Sequence, residues 1–415
     1  MWKRPIGPLA TALLLCAAAP PAASAYSVLA HESNIDSLWN TGIRPLLLRR
    51  FPRASPGQLI EARAYAYGGS VIQDLGYYPF GSHFFSNLLH YVRTGDFVET
   101  LIRDADTLDE YAFALGALAH YAADNTGHPV AVNRAVPMMF PDLRRKFGND
   151  VSFAESPARH VITEFSFDVV QAASGGYVPE TYHTFIGFQV ARPLLERAVR
   201  EIYGLEMKDV FVSEDLALGS YRHAVAQTLP AITEAAWRDK QDEIQRLKPG
   251  VQRSGFVYAL TPRQYEQQFG TDFYRPGFFS RFVAFLYHLL PKIGPLKPLS
   301  FKAPTPEAER LFVESLTETR RQYRQALNAV GTGRLDLRNM NVDIGRPTRR
   351  GEYPLADDTY RELLEKLAKR KEGRVPPALR RALNEFFAGG PAGTSRKEQK
   401  RETRIRAMLA ALNAA

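Results

Sequence analysis

One cysteine, Cys16, occurs in 415 residues. Its solitude excludes an internal disulfide framework and any zinc site built from several thiolates. Long apolar runs are also lacking: nothing after the first 25 residues stays apolar for the roughly 20 residues that a membrane-spanning helix needs. Alternating strand patterns are scarce, whereas apolar residues recur with helical spacing along most of the chain, so the fold class expected is all-α. Acidic residues are outnumbered, 44 against 53 lysines and arginines, for a formal charge of +9. That balance favours anionic partners such as phospholipid surfaces or nucleic acids.

The amino-terminal segment carries an export pattern. Lys3 and Arg4 give a positive start, Leu9 to Ala19 an apolar core, and Ala23-Ser24-Ala25 a small-residue cleavage site. A signal peptide is expected over 1–25, with a mature chain that begins at Tyr26, loses Cys16, and is secreted or periplasmic. Residues 26–250 are expected to form a multi-helix domain. Residues 251–388 read as an aromatic, proline-rich and then helical extension, and 389–415 as a basic, mobile tail able to touch an anionic membrane surface. Helical spacing predicts helices over 28–39, 58–74, 107–125, 158–173, 181–202, 305–328 and 356–373. A further one over 213–247 should be kinked or split by Pro230.

The histidines are unevenly placed: six of the nine, His31, His83, His90, His120, His128 and His160, fall before residue 161. His120 and Asp124 are four apart on one helix, and His160 and Glu164 repeat the spacing on another. Side chains one helical turn apart point the same way, so each pair offers an imidazole and a carboxylate to a common ion. Such nitrogen and oxygen sets suit zinc. A single pair of this kind is more often a surface ion pair; two pairs with His128 close behind shift the balance toward metal. Gly116, one turn before His120, leaves room for another backbone or for a metal.

These residues resemble, in kind and order, the ligands of the zinc-dependent phospholipase C family, which is related to secreted single-strand-specific zinc nucleases. The resemblance covers about Tyr26 to Gln171 and implies the ligands Tyr26, His31, Asp74, His90, His120, Asp124, His128, His160 and Glu164. It implies three zinc ions: one on Asp74, His90 and His120; one on His128, His160 and Glu164; and one on His31 with the amino group and carbonyl of Tyr26. Asp124 would bridge the first and third. Tyr26 stands where the family usually has tryptophan, and the step from Asp124 to His128 is two residues shorter than is common there. His83 competes with His90 for one ligand position, His90 having the more family-like interval from Asp74.

The function implied is phosphodiester hydrolysis by zinc-activated water, with phospholipid as the leading substrate and single-stranded nucleic acid as the alternative. Asp74 is the candidate catalytic residue, a ligand that would also take the nucleophile's proton. Tyr77, Tyr78, Phe80, Phe84 and Phe85 are candidates for an aromatic wall of the pocket, with core packing as the plainer reading. A non-catalytic zinc-dependent envelope or binding protein is the reading from a different class. No obligate protein partner is implied.

Overall fold

The computed structural model describes residues 27–78, 80–173, 177, 188–223, 237, 241–242, 245–246, 250, 252–253, 301–370, 375–389 and 396–414. Among them almost all regular structure is helical. The helices are α1 (Val28–Leu38), α2 (Arg44–Arg50), α3 (Pro56–Val71), α4 (His83–Tyr91), α5 (Thr94–Asp104), α6 (Leu108–Gly127), α7 (Asn133–Met139), α8 (Pro141–Phe147) and α9 (Pro157–Ala173). They continue with α10 (Arg192–Tyr203), α11 (Met207–Val210), α12 (Glu214–His223), α13 (Pro306–Gly331), α14 (Pro354–Lys369), α15 (Pro377–Ala388) and α16 (Arg396–Ala414). The exception is a two-residue antiparallel pair, β1 (Met340–Asn341) with β2 (Arg346–Pro347).

Local chemistry explains where the helices start. The Ser55 hydroxyl accepts from the Gln58 amide while the Gln58 side-chain oxygen accepts from the Ser55 amide, a reciprocal cap, and Pro56 follows at the first helical position. Thr107 caps α6 and Thr305 caps α13 by the side-chain half of this arrangement, accepting from the Glu110 and Ala308 amides. Helix α1 differs: Ser27 makes no capping bond with its side chain, and the Leu29 amide donates instead to the Asp168 carboxylate on α9, at 3.0 Å.

Helix α6 lies at the centre, with residues buried on every face from Tyr111 to Ala119. Its tightest neighbour is α3. A Cβ on Gly116 would stand 2.0 Å from the Ala66 carbonyl oxygen, and one on Gly69 would stand 1.9 Å from that of Phe113. The room left at Gly116 is therefore filled by backbone. Gln73 donates across the same seam to the Ala117 carbonyl at 3.1 Å. Helix α13 covers another side of α6, where the Tyr323 hydroxyl donates to Leu115 at 2.9 Å.

Most expected helices appear within a few residues of their expected bounds. Residues 181–187 and the stretch around Pro230 lie outside the described residues, as does the aromatic run 278–287. The segment after Gly389, expected to be mobile, includes α16, which buries Ile405 and Leu412. Their burial against the preceding helices gives this basic stretch an apolar side to dock by. Residues 301–388 contribute Phe312, Leu363 and Leu383 to the same apolar core as α6. No helix among the described residues is long and apolar enough to cross a membrane.

Candidate metal centre

Six elements bring the eight described candidate ligands together. His31 comes from α1, Asp74 from a single 3-10 turn (Ile72–Tyr77) that ends α3, and His90 from the last turn of α4. His120 and Asp124 lie on α6, His160 and Glu164 on α9. The helix expected over 107–125 runs on to Gly127 and then widens into a π-helical turn, His128–Val132, that leads into α7. His128 stays in α-helical register with Asp124, its amide donating to the Asp124 carbonyl, and its ring stands beside that of His160, with centroids 6.0 Å apart.

The eight described side chains are no more than 3% exposed. They form three groups whose potential ligand atoms lie within 4.8 Å of one another: His31, His120 and Asp124; Asp74, His90 and His120; His128, His160 and Glu164. Asp124 sits among three imidazoles, with His120 Nε2 at 3.0 Å, His90 Nε2 at 3.2 Å and His31 Nε2 at 3.6 Å. Asp74 lies 3.4 Å from His90 Nε2, and Glu164 lies 3.9 Å from His160 Nδ1. Ligand atoms around a tetrahedral zinc stand roughly 3.4 Å apart when each is about 2.1 Å from the ion, so these spacings fit. His31 and His120 are stacked, with centroids 4.4 Å apart. Tyr26 lies outside the described residues.

Backbone carbonyls select which ring nitrogen is available. His90 Nδ1 lies 2.7 Å from the Ser86 oxygen, His120 Nδ1 3.0 Å from Ser70, and His160 Nε2 2.6 Å from Val151. A carbonyl only accepts, so these nitrogens carry the proton and the opposite ones keep their lone pairs for an ion. Both Asp124 carboxylate oxygens, Asp74 Oδ1, Glu164 Oε1, His128 Nδ1 and His160 Nδ1 are buried with no hydrogen-bond partner. Orphaned buried groups are costly, and a cation at each group would satisfy them together.

The protonation preferences carry the same imprint. Burial pushes the His31 imidazole down to about 4 and that of His160 to about 3, and lowers His128 as well. Burial also opposes charge on His90 and His120, but their contacts with Asp124 and Asp74 outweigh it and raise both. Burial would raise Asp124, yet His120, His90 and His31 hold it well below the ordinary carboxylate range. Glu164 goes the other way: burial, with Asp124, Asp74 and Asp343 nearby, raises it far above that range. These groups sit where cationic charge is wanted.

A family model described as zinc dependent phospholipase C matches residues 38–211. Residues 38–211 belong to the zinc-dependent phospholipase C family. All of the described candidate ligands except His31 fall within this phospholipase C region, and His31 joins them from the helix just before it. Comparison with curated proteins gave no match, and neither did comparison with solved structures.

The competition between His83 and His90 has a clear geometry. His90 is buried in the cluster, whereas His83 is exposed at the start of α4, edge-on to Tyr77 at 5.9 Å. Of the aromatic wall, Tyr77 faces the cluster, with its ring 5.6 Å from that of His90. Tyr78 packs on Tyr221 and Phe85 on Phe211, which is core packing. Two residues at the site carried no sequence signal. Asp168, one turn beyond Glu164, caps α1 and so fixes the helix that bears His31. Asp343, far outside the matched region, lies 3.4 Å from His128 Nε2.

Proposed function

We propose that the chain is an exported zinc-dependent phosphodiester hydrolase that cleaves phospholipids in the manner of phospholipase C. The observation that carries the reading is the convergence of three buried histidine and carboxylate groups, nearly all within a region of that family. His31 would hold one zinc with the Tyr26 amine and carbonyl; Asp74, His90 and His120 a second, with Asp124 serving both; and His128, His160 and Glu164 a third. Zinc in such a site supplies Lewis acidity, lowering the pKa of water and neutralising charge on the phosphoryl oxygens.

The chain's own residues do the rest. Ser86, Ser70 and Val151 orient three imidazoles through their carbonyls. Asp74, buried beside His90, would receive a proton from the attacking water. Tyr77 walls the site beside His90. A basic chain of net charge +9 suits approach to an anionic lipid surface.

The test is metal content and hydrolysis on one preparation that begins at Tyr26, with phosphatidylcholine, single-stranded DNA and a chromogenic phosphodiester offered in parallel, before and after chelation. Close to three zinc ions per chain with chelator-sensitive release of diacylglycerol is the expected result. Cleavage of DNA in preference to lipid would move the assignment to a nuclease. Bound zinc without turnover of any substrate would make the cluster that of a binding protein.

A further inference from the structure

The segment 340–348 has no place in the matched region, yet it is fastened to the site from several directions. The Met340 amide donates to Thr94 Oγ1 at 2.8 Å, and the Thr94 hydroxyl donates to the Met340 carbonyl at 3.0 Å. The Val342 amide donates to the His90 carbonyl at 3.2 Å. Asn133 Nδ2 donates to the Asp343 carbonyl at 2.9 Å, and the Thr348 hydroxyl to that of Tyr91 at 2.8 Å. Gly345, at φ +63, lets the chain pass so close to the π-helical turn that a Cβ there would meet Pro129 Cγ at 2.8 Å. Every one of these contacts brings the Asp343 side chain to the same spot.

That side chain is 2% exposed and its two oxygens have different work. Oδ2 accepts from two phenols, Tyr91 at 2.7 Å and Tyr353 at 2.6 Å. Tyr353 is itself held, its oxygen accepting from the Ala154 amide at 3.0 Å. The phenols fix the carboxylate plane and leave Oδ1 facing His128 Nε2 at 3.4 Å. On the other side of that imidazole, Nδ1 is buried and has no hydrogen-bond partner. His128 is also the described candidate imidazole outside the Asp124 cluster that no backbone carbonyl orients; Asp343 occupies the role that Val151 plays for neighbouring His160.

Resting on the zinc reading above, we propose that Asp343 is a positioning residue for His128. It keeps the proton on Nε2 and so presents Nδ1 as the metal-binding atom of the group that includes His160 and Glu164. A carboxylate accepts and does not donate, so it admits one tautomer only, the arrangement by which carboxylates commonly brace metal-bound histidines. The carboxy-terminal part of the chain would thus complete a site whose ligands all lie before residue 165.

The experiment uses the full chain beginning at Tyr26. Zinc affinity is measured by competition with a chromophoric chelator, and the protonated nitrogen of His128 by long-range proton–nitrogen NMR on the zinc-loaded protein. Wild type should show His128 protonated at Nε2 and metal-bound at Nδ1. In Asp343→Asn, the amide oxygen stays with the two phenols and the NH2 turns to His128, which then needs its lone pair on Nε2 and moves the proton to Nδ1. Affinity for one zinc should fall by about 10- to 100-fold while the others are retained.

Metal bound at Nε2 in wild type, or an Asp343→Asn chain that matches wild type at every zinc, overturns the proposal. If Asp343→Asn does not fold, the wild-type spectrum alone decides. A wild-type chain that takes up no zinc overturns the hydrolase reading and this inference together, an outcome distinct from failure of the inference alone.

Discussion

Replacing Gly116 by alanine adds one methyl group at the closest point between α3 and α6. The new Cβ would lie 2.0 Å from the Ala66 carbonyl oxygen and 3.0 Å from the Gly69 Cα. Both neighbours are backbone, so no rotamer change relieves the clash and the helices must separate by more than about 1 Å. Overpacking costs about 1 to 3 kcal/mol where side chains can shift, and a backbone clash falls at the upper end or beyond. Alanine's better helix propensity offsets about 1 kcal/mol. The net loss expected is about 2 kcal/mol or more.

The same separation stretches the bond from His120 to the Ser70 carbonyl, now 3.0 Å, so zinc affinity should fall along with stability. Urea denaturation of the zinc-free protein, followed by circular dichroism, reads the first effect, and chelator competition the second. Gly57→Ala is the control: it sits exposed in the first turn of α3 with little near its missing Cβ, and should gain up to about 1 kcal/mol from propensity alone. A Gly116→Ala chain as stable as wild type would refute the claim that backbone contact fixes this seam.

Two further outcomes are expected. His90→Ala should remove zinc from the group with Asp74 and His120, whereas His83→Ala should leave the zinc content unchanged; equal loss from both would return His83 to the ligand set. Asp168 gives a dependence on pH: burial raises its carboxyl from an ordinary 3.8 to about 6, against the bonds it accepts from Tyr177, Ser27, Leu29 and Ala30. The folded chain therefore holds this proton more tightly than the unfolded chain, and stability is lost as pH rises from about 4 through 6, by about 3 kcal/mol for a gap of about two pH units. Asp168→Asn lacks that slope, so relative to wild type it should gain up to that amount between pH 4 and pH 7 in denaturation experiments; parallel curves would refute this account.

How much of this was legible in the sequence follows from the range of each interaction. Helices leave a local periodic trace, and so do the i, i+4 pairs His120 with Asp124 and His160 with Glu164. Their association into a cluster with His31, Asp74 and His90 was legible through family resemblance, because no local rule joins residues on separate helices. Gly116 was visible as a missing side chain, but what fills the gap depends on α3. Asp168 left no trace in the sequence; its bond to the Leu29 amide spans 139 positions. Asp343 had no signal at all, since its two phenols and its histidine lie on elements that only the folded chain brings together.

That long-range connection also bears on timing. The bond from Tyr91 to Asp343 closes a loop of 252 residues. At synthesis rates of about 5 to 20 residues per second, residue 343 appears roughly 10 to 50 s after residue 91. Early helices can dock as they emerge, because their contacts are mostly near in sequence, whereas closure over so great a separation comes late. The nascent chain would therefore pass through a long interval with His128 not yet braced, and a messenger truncated before codon 340 would encode a metal centre that lacks this brace.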